Sequence, residues 1–493
     1  EVLLGRMSLS FLTRQQLRML ECAGLTLILS LVAFPAGAQS GAGVDSLDRY
    51  VRSELARQRI PGLSVAVLQG DSIVMARGYG YANVEHHAPA TDSTVFEVGS
   101  ISKQFTAAAI VLLAEEGRLG LDDAITRYLP EGSAVWPGVT VRHLLTHTSG
   151  ISDQSLDSID WRKDYTEEEL VLLAAAQPLL FDPGESESYS GTGYTLLGVI
   201  VHRVTGQFYG DFIHDRVFRP LDMRAARVNS DTAVVPNRSA GYYFDHGRLK
   251  NRDWTSGSLS ATADRGLSFS ARDLVQWAIA LNHRKPLGRG GLQASWSPVR
   301  LNNGWTYPYG LGWQLTQQRG FKRIGHSGAW GGFQGTIQRY PDFGLTVIVL
   351  TNLDEANPEG IASGIAGILE PVLTPPHLLP GRLPGASPPK PLYDLLRDVA
   401  ASRDSAEVTP GMRALTPPTR RQRIARLLQG LQAWTFVGCE NATDRHMSRV
   451  DTRIQWLCYG KGPVQEGERV GNAVVTVLYG AGWRAAGIDL YFF

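Results

Sequence analysis

The chain has 493 residues, more than one ordinary hydrophobic core can bury, so its length predicts two domains. Hydrophobic residues make up 43% of the sequence and charged residues 19%, a composition typical of soluble globular proteins. The 48 Lys and Arg residues against 47 Asp and Glu residues argue against a nucleic-acid-binding protein and against a polybasic membrane-surface protein. This balance leaves a small-molecule enzyme open.

The first 38 residues have the pattern of a signal peptide. Arg14 and Arg18 precede a short uncharged apolar run over residues 23–34, and Ala36 and Ala38 form a small-x-small cleavage site. The apolar run is short for a membrane-spanning helix, although an uncleaved membrane anchor is the alternative. We therefore expect a periplasmic or secreted protein that contacts the membrane only through residues 1–38.

Residues 45–370 are predicted to form one α+β domain. Its two ends alternate between apolar and polar residues as strands do, and its middle, roughly residues 121–298, has helical patterns broken by Gly, Pro and Asp. We expect an antiparallel sheet that is closed by its own terminal strands and flanked by helices, plus an all-helical subdomain. The clearest elements are strands over residues 63–69, 73–79, 332–340 and 345–351 and a helix over residues 102–116.

Beyond this domain the composition changes. Residues 371–391 contain eight prolines, which predicts an extended linker. Residues 392–493 show two helical patterns and then four strand patterns, which predicts a small α+β domain of unknown role, with a fold-level likeness to cystatin-like or nuclear-transport-factor-like modules. Cys439 and Cys458 lie on consecutive predicted strands, where they form either a disulfide or two separate buried thiols.

A Ser-x-x-Lys motif at the start of the predicted helix carries the first chemical signal. Ser100 and Lys103 are one helical turn apart, so their side chains lie on the same face. A serine hydroxyl needs a base to become a good nucleophile, and a lysine can be that base when its surroundings depress its pKa. The helix N-terminus also offers N–H groups to a developing oxyanion. Taken alone, the motif occurs often by chance and is more typical of a helix cap beside a surface lysine.

Four further motifs follow in a fixed order and give the Ser-x-x-Lys motif its context. In this order and spacing they resemble the serine beta-lactamase-like superfamily, in the branch of class C lactamases, low-weight DD-peptidases and family VIII esterases. The resemblance covers about residues 45–371 and implies a beta-lactamase/transpeptidase-like fold and a serine acyl-enzyme, with no metal and no cofactor. The motifs are Arg-His-Leu-Leu-Thr-His-Thr-Ser-Gly at 142–150, Glu-Ser-Tyr-Ser-Gly-Thr-Gly-Tyr-Thr-Leu-Leu-Gly at 187–198, Tyr-Gly-Leu-Gly-Trp at 309–313 and Gly-His-Ser-Gly-Ala-Trp-Gly-Gly at 325–332.

The resemblance implies three catalytic residues. Ser100 matches the acylated serine, Lys103 matches its lysine partner, and Tyr189 matches the tyrosine of the family's Tyr-x-Asn motif. That tyrosine, as a phenolate or as a hydrogen-bond relay, would pass the serine proton to the leaving group. Because a free tyrosine titrates near pH ~10, this role needs nearby cations.

The resemblance also implies the substrate-binding residues. His326, Ser327 and Gly328 match the family's Lys-Thr-Gly triplet on the strand beside the site, whose backbone can bind an extended substrate. By position, the oxyanion hole would combine the N–H of Ser100 with one just after Gly328, and Trp330 is the candidate.

Two departures from the family pattern bear on the substrate. Gly191 stands where the family has the Asn of Tyr-x-Asn, which we expect to weaken beta-lactam turnover and to open room beside Lys103. His326 stands where the family has a lysine, and a mostly neutral imidazole attracts a carboxylate less than an ammonium does. Trp330-Gly331-Gly332 resembles an element of the esterase branch. Esterase or D-peptidase activity is therefore expected ahead of strong lactamase activity.

Other candidate sites are weaker. His143 and His147 lie four residues apart but lack the following Glu of a zinc-protease helix, so we favour a structural role for them. Asp273 is interpreted as a helix-start charge and Glu97 as a structural carboxylate. The predicted protein is an exported serine hydrolase of esters or amides, with a beta-lactam, D-amino-acid peptide or small ester as substrate. A non-catalytic penicillin-binding or sensor protein is the alternative, and the oligomeric state stays open.

Overall fold

The computed structural model describes residues 40–153, 159–304, 306–375, 392–401, 421, 424–425, 428–429, 435–441, 456–466, 469–479 and 485–492. The predicted signal peptide and residues 376–391 of the predicted linker lie outside these residues. Within them, no helix has both the length and the apolar composition that a membrane span needs.

The α-helices and β-strands of the described residues are numbered in chain order. The helices are α1 (Ser40–Arg57), α2 (Ser102–Glu115), α3 (Val141–Leu145), α4 (Glu167–Ala175), α5 (Gly191–Thr205), α6 (Tyr209–Ile213), α7 (Gly257–Ser260), α8 (Ala271–Asn282), α9 (Arg289–Ser295), α10 (Pro358–Leu369) and α11 (Leu392–Ala400). The strands are β1 (Gly62–Gln69), β2 (Ser72–Asn83), β3 (Ala88–Pro89), β4 (Phe96–Glu97), β5 (Arg227–Val228), β6 (Tyr242–Asp245), β7 (Arg248–Asn251), β8 (Leu267–Phe269), β9 (Val299–Arg300), β10 (Thr306–Tyr307), β11 (Gln314–Gln318), β12 (Phe321–Trp330), β13 (Phe333–Tyr340), β14 (Leu345–Thr351), β15 (Thr435–Asn441), β16 (Trp456–Glu466), β17 (Arg469–Tyr479) and β18 (Ala485–Phe492).

A seven-stranded antiparallel sheet joins the two ends of the first region. Its strand order is β11-β12-β13-β14-β1-β2-β3, and Ala66 and Ile348 form the middle pair between β1 and β14. The expected α+β fold, an antiparallel sheet that is closed by its own terminal strands and flanked by helices, is confirmed. Short strands β4, β8 and β5 form a separate small sheet.

At strand β1, both faces of the large sheet are buried. Residues 63–68 are all buried, and successive side chains point to opposite faces. Val65 belongs to the core cluster that contains residues of α1 and α10, whereas Ala66 belongs to the cluster that contains residues of α2 and α8. A strand with helices on both faces therefore has a continuous apolar run.

The helical region packs around α2. Helices α3, α5 and α6 contribute buried residues to the same core cluster, and α2 itself is buried over residues 102–113. A helix that is packed on all sides carries apolar residues around its whole circumference. This apolar pattern is what predicted α2 from the sequence. The Ser-x-x-Lys motif at its N-terminus is thereby attached to a helix that is buried over residues 102–113.

The C-terminal region contains a second antiparallel sheet with the strand order β15-β16-β17-β18, and α11 lies against β16. Its register places Cys439 directly opposite Cys458. Directly opposed residues in antiparallel strands have Cα atoms about 4.5–5.5 Å apart, within the range that a disulfide spans. The disulfide stays a prediction, and thiol titration of the denatured protein without reductant would test it.

Candidate active site

Ser100 lies in a one-turn 3-10 helix, Gly99–Ile101, which leads directly into α2. Two glycines let this turn approach strand β12 closely. Gly99 has a φ of +50°, and a Cβ there would lie 2.5 Å from the carbonyl oxygen of Ala329. A Cβ on Gly328 would lie 2.7 Å from the backbone nitrogen of Ser100. The backbone of β12 therefore passes directly beside the serine, with no side chain between them.

Lys103 reaches Ser100 from one turn along the helix. Its Nζ atom lies 3.1 Å from the Ser100 Oγ and donates a hydrogen bond of 2.9 Å to the backbone oxygen of Asp264. Only 1% of Lys103 is exposed. Burial lowers the pKa of its amine to about 8, although the nearby Asp264 carboxylate partly opposes this. A lysine with such a pKa is partly neutral near pH 7 to 8 and can accept a proton.

The Tyr189 phenol meets this pair. Lys103 Nζ lies 4.9 Å from the centre of the Tyr189 ring, and the Ser100 hydroxyl is near enough to the Tyr189 phenol to influence its pKa. Tyr189 is 42% exposed, so its side chain borders the open site. Desolvation raises the pKa of Tyr189 above its ordinary value, and the neighbouring Ser100 hydroxyl only partly offsets this. The phenol is therefore protonated at neutral pH, which favours a relay over a phenolate.

Hydrogen bonds on both sides of Tyr189 hold it in place. The Ser190 hydroxyl caps α5 by accepting the Gly193 N–H at 3.0 Å. The Asp153 carboxylate accepts the N–H groups of Gly191 and Thr192 at 2.9 Å each and the Ser190 hydroxyl proton, also at 2.9 Å. A carboxylate at a helix N-terminus is favourable, so the start of α5 is firmly anchored. Tyr189 directly precedes this anchor.

His147 is a site residue that sequence reasoning missed. Its Nδ1 accepts the Ser190 N–H at 3.1 Å, which assigns the ring proton to Nε2. Nε2 is buried with no hydrogen-bond partner among the described residues. The ring centre lies 4.2 Å from that of Tyr189, and burial lowers the pKa of His147 far below its usual value. The imidazole is thus a neutral support for the phenol, and its place in the 142–150 motif was the available signal.

His326 lies in the wall of the site with both nitrogens engaged. Its Nδ1 faces the backbone oxygen of Ser327 at 2.6 Å and carries the proton, while its Nε2 accepts the Tyr309 hydroxyl at 2.8 Å. Burial, with the positive charge of Lys103, lowers the pKa of His326 to about 3. The residue is only 2% exposed, so it presents no cation to a substrate carboxylate.

Ser327 points away from the nucleophile. Its hydroxyl donates to the Glu359 carboxylate of α10 and lies 3.0 Å from the Thr336 hydroxyl. Successive side chains of a strand alternate between faces, which turns Ser327 toward α10 and leaves only its backbone beside the site. Substrate binding at Ser327 stays a prediction, and this placement allows it only through the backbone.

The placement of the second oxyanion donor on Trp330 is wrong. Gly331 and Gly332 have φ values of +51° and +83°, as in a two-residue type I′ hairpin, so the closing pair Trp330–Phe333 is hydrogen-bonded across the two strands. Bonded and non-bonded pairs alternate, so the Trp330 N–H points toward β13 and the Ala329 N–H points away from it. Because the Ala329 backbone abuts Gly99, Ala329 rather than Trp330 offers the second N–H beside Ser100.

The expectation that Gly191 opens room beside Lys103 is also wrong. A Cβ on Gly191 would lie 2.8 Å from an Asp264 carboxylate oxygen and 3.4 Å from a terminal nitrogen of Arg265. An ion pair of 2.6 Å joins these two side chains. The space that a larger residue would take is therefore filled from a loop more than seventy residues away in the sequence.

The remaining candidates have structural places. His143 Nδ1 accepts the Thr140 N–H at 3.2 Å in the capping box of α3. Asp273 caps α8 together with Ser270, and Glu97 forms an ion pair of 2.5 Å with Arg252. Among the described residues, no cluster of three His, Cys, Asp or Glu side chains could hold a metal ion.

Two solved structures share the fold described above. The octameric penicillin-binding protein homologue from Pyrococcus abyssi has a TM-score of 0.61 at 23% identity, with 90% of this chain and all of that chain covered. The D-stereospecific amidohydrolase from Streptomyces sp. has a TM-score of 0.57 at 25% identity, with 66% of this chain and 98% of that chain covered. The first likeness shows the fold alone.

Sequence comparison gives the family. Penicillin-binding protein 4* from Bacillus subtilis (strain 168) is 34% identical over 310 residues, which is 59% of this chain and 68% of that protein. The family model described as Beta-lactamase matches residues 47–367, which include the nucleophile turn, the Tyr189 loop and β12. The chain belongs to the beta-lactamase family of serine hydrolases.

Proposed function

We propose that the protein is an exported serine hydrolase that forms an acyl-enzyme on Ser100 from esters or amides. The single observation that carries this proposal is the meeting of the Ser100 hydroxyl, the Lys103 amine and the Tyr189 phenol. A depressed lysine pKa beside a hydroxyl at a helix start is the arrangement that nucleophilic catalysis requires.

Acylation begins when neutral Lys103 takes the Ser100 proton as Oγ attacks the substrate carbonyl. The N–H groups of Ser100 and Ala329 bind the oxyanion of the tetrahedral intermediate. Tyr189 gives its phenolic proton to the leaving alkoxide or amine and regains one from the Lys103 ammonium. The Ser100 proton thus ends on the leaving group, and Lys103 is neutral again.

Deacylation reverses the same proton path. A water molecule gives a proton through Tyr189 to Lys103 and attacks the acyl carbonyl, and the proton then returns to Ser100 as the acid product leaves. Tyr189 serves both steps because it remains protonated between them. His147 supports its ring, and Asp153 holds the helix start that follows it.

Esters and D-amino-acid peptides are proposed as substrates ahead of beta-lactams. His326 is buried and neutral where the family has an ammonium, and Gly191 removes the family's amide side chain. The likeness to a D-stereospecific amidohydrolase and to a penicillin-binding protein supports this range of substrates.

Trapping the acyl-enzyme tests the proposal. Purified protein should gain the mass of one acyl group from a fluorescent penicillin or a para-nitrophenyl phosphonate, and Ser100→Ala should gain none. Ser297→Ala, an exposed serine on the same protein, is the matched control and should label fully. Labelling of Ser100→Ala to the same extent, or no labelling of the unchanged protein, would instead support a non-catalytic binding or sensor role.

Export is proposed from the pattern of residues 1–38. Expression of the full chain in a Gram-negative host should give a periplasmic protein whose N-terminus begins after Ala38. A cytoplasmic protein that retains those residues would contradict the proposed localisation. A membrane-bound protein that retains them would support the anchor instead.

A further inference from the structure

The loop that carries Asp264 and Arg265 is fastened to the catalytic helix. The Thr106 hydroxyl of α2 donates to the backbone oxygen of Ala263 at 2.6 Å, and Lys103 donates to that of Asp264 at 2.9 Å. The Leu267 N–H donates to the Ser102 hydroxyl at 3.1 Å. With three attachments to one helix, this loop holds its side chains at a constant position relative to Ser100.

Packing against two tryptophan rings holds the Arg265 side chain in place. Its guanidinium carbon lies 5.3 Å from the Trp161 ring centre and 4.7 Å from that of Trp330, and the two ring centres are 5.6 Å apart, so the guanidinium packs against a pair of rings that also contact each other. Within the described part of the chain, its side-chain hydrogen bond uses Nε, which donates to Asp264 at 2.6 Å. The terminal NH2 lies toward Gly191, two residues after Tyr189. The end of the guanidinium is thus positioned and left for another acceptor.

The negative charges around Arg265 are already paired. Asp264 accepts from Arg265 and Thr262, and although burial raises its pKa, Arg265 and Lys103 hold it below its usual value. The Asp153 carboxylate accepts three hydrogen bonds at the start of α5. Both carboxylates are therefore engaged by protein donors, and an oxygen of each also lies close to the position that a Gly191 Cβ would take, at 2.8 Å for Asp264 and 3.7 Å for Asp153.

Arg265 lies on the acyl side of the scissile bond. Along β12, His326 and Trp330 are four residues apart, roughly 13 Å in a strand, and Ala329 stands beside Ser100. The Tyr189 ring centre lies 6.2 Å from that of His326, so the leaving group, which must reach the phenol, lies toward His326. The acyl part then extends the other way, toward Trp330 and Arg265.

We propose that Arg265, which packs against Trp161 and Trp330 beside Gly191, is a specificity-determining residue that selects substrates with a carboxylate on the acyl part. The proposal deepens the serine-hydrolase function and rests on it. An arginine whose fork is fixed by stacking and by one ion pair binds a carboxylate with its two terminal nitrogens at little further cost in side-chain entropy.

Matched esters test this selection in the unchanged enzyme. The probes are para-nitrophenyl hydrogen adipate, its methyl ester, and para-nitrophenyl 6-aminohexanoate, which present a negative, a neutral and a positive end. We expect kcat/KM for the carboxylate ester to exceed that for the methyl ester by about tenfold, since hydrogen bonds to charged groups are the stronger ones. The amino ester should be the poorest. Equal or reversed rates would overturn the proposal.

Variants then attribute the preference to Arg265. Arg265→Gln should bring the carboxylate-to-methyl-ester ratio to about one, and Arg265→Lys should leave an intermediate ratio because it keeps the charge but loses the fork. Arg272→Gln, which breaks an exposed ion pair with Asp92, is the matched control and should keep the ratio. A ratio that persists in Arg265→Gln would assign the selection elsewhere. Because the ratio is internal to each variant, partial loss of fold does not affect it.

Failure of this inference is distinct from failure of the proposed function. If Ser100-dependent turnover of all three esters is observed without charge preference, the hydrolase stands and the role of Arg265 falls. If none of the three esters gives Ser100-dependent turnover, the proposed function itself falls, and the selection falls with it.

Discussion

Lys103 and His326 are two buried basic groups in the same site, and their surroundings give them opposite properties. Burial lowers the pKa of both, to about 8 for Lys103 and to about 3 for His326. Lys103 has the Asp264 carboxylate nearby, which partly restores the charged form. Among the described residues, no carboxylate offsets the effect of burial on His326. The positive charge of Lys103 lowers its pKa further, so the imidazole stays neutral.

Burial alone therefore does not decide whether a basic residue can accept and donate protons. One depressed pKa ends close to the working pH, where a base is most effective, and the other ends far below it. Lys103 is therefore the proton acceptor, and His326 is a fixed neutral hydrogen-bonding group of the wall.

Removing the lysine amine should have the largest effect. Lys103→Ala is expected to lower the acylation rate by roughly 10³- to 10⁴-fold, because it removes the general base. Stopped-flow release of para-nitrophenol measures this rate directly. Lys250→Ala removes an exposed lysine paired with Asp245 and serves as the control, with an unchanged rate. Near-normal acylation in Lys103→Ala would contradict its assigned role.

Removing the phenolic hydroxyl should cost somewhat less. Tyr189→Phe keeps the ring contact with His147 but loses the relay, and we expect acylation to slow by roughly 10²- to 10³-fold. The loss should be smaller for an ester with a good leaving group than for an anilide, since the good leaving group departs without protonation. A variant that hydrolyses both substrates at the normal rate would exclude Tyr189 from the proton path.

The pH dependence of kcat/KM should reflect the pKa of Lys103. The reactive form is the neutral amine, so kcat/KM should rise about tenfold per unit as pH increases toward about 8 and then level off. Asp264→Asn removes a carboxylate that raises this pKa, so the midpoint should move to lower pH. Because the pKa of His326 lies far below this range, its titration should cause no change in kcat/KM between pH 5 and 7. A midpoint that stays in place in Asp264→Asn would argue against Lys103 as the titrating group.

Replacing the imidazole should have the smallest effect. In His326→Gln the amide can still accept from Tyr309 and donate to the backbone of Ser327, so we expect kcat/KM to fall by less than about fivefold. A steady-state measurement with one para-nitrophenyl ester suffices. A hundredfold loss would mean that His326 takes part in proton transfer and that the contrast with Lys103 does not hold.

The sequence alone was sufficient for the local parts of the site. Ser100 and Lys103 are one helical turn apart, so their contact follows from helix geometry once the helix is predicted. The closed antiparallel sheet followed from strand patterns at both ends of residues 45–370. Tyr189 required the family resemblance, because no local rule brings a residue some ninety positions away to Ser100.

Contacts between segments that are distant in the sequence could not be predicted and became visible only in the folded chain. Arg265 and Asp264 fill the space beside Gly191. The absence of a side chain at Gly191 gave no indication of which distant residues would occupy that space. The choice of Ala329 over Trp330 depended on the type I′ hairpin, which sets which N–H groups pair with the neighbouring strand. Periodicity in a sequence reports which face of an element is buried, but the partner across that face is set by packing between elements.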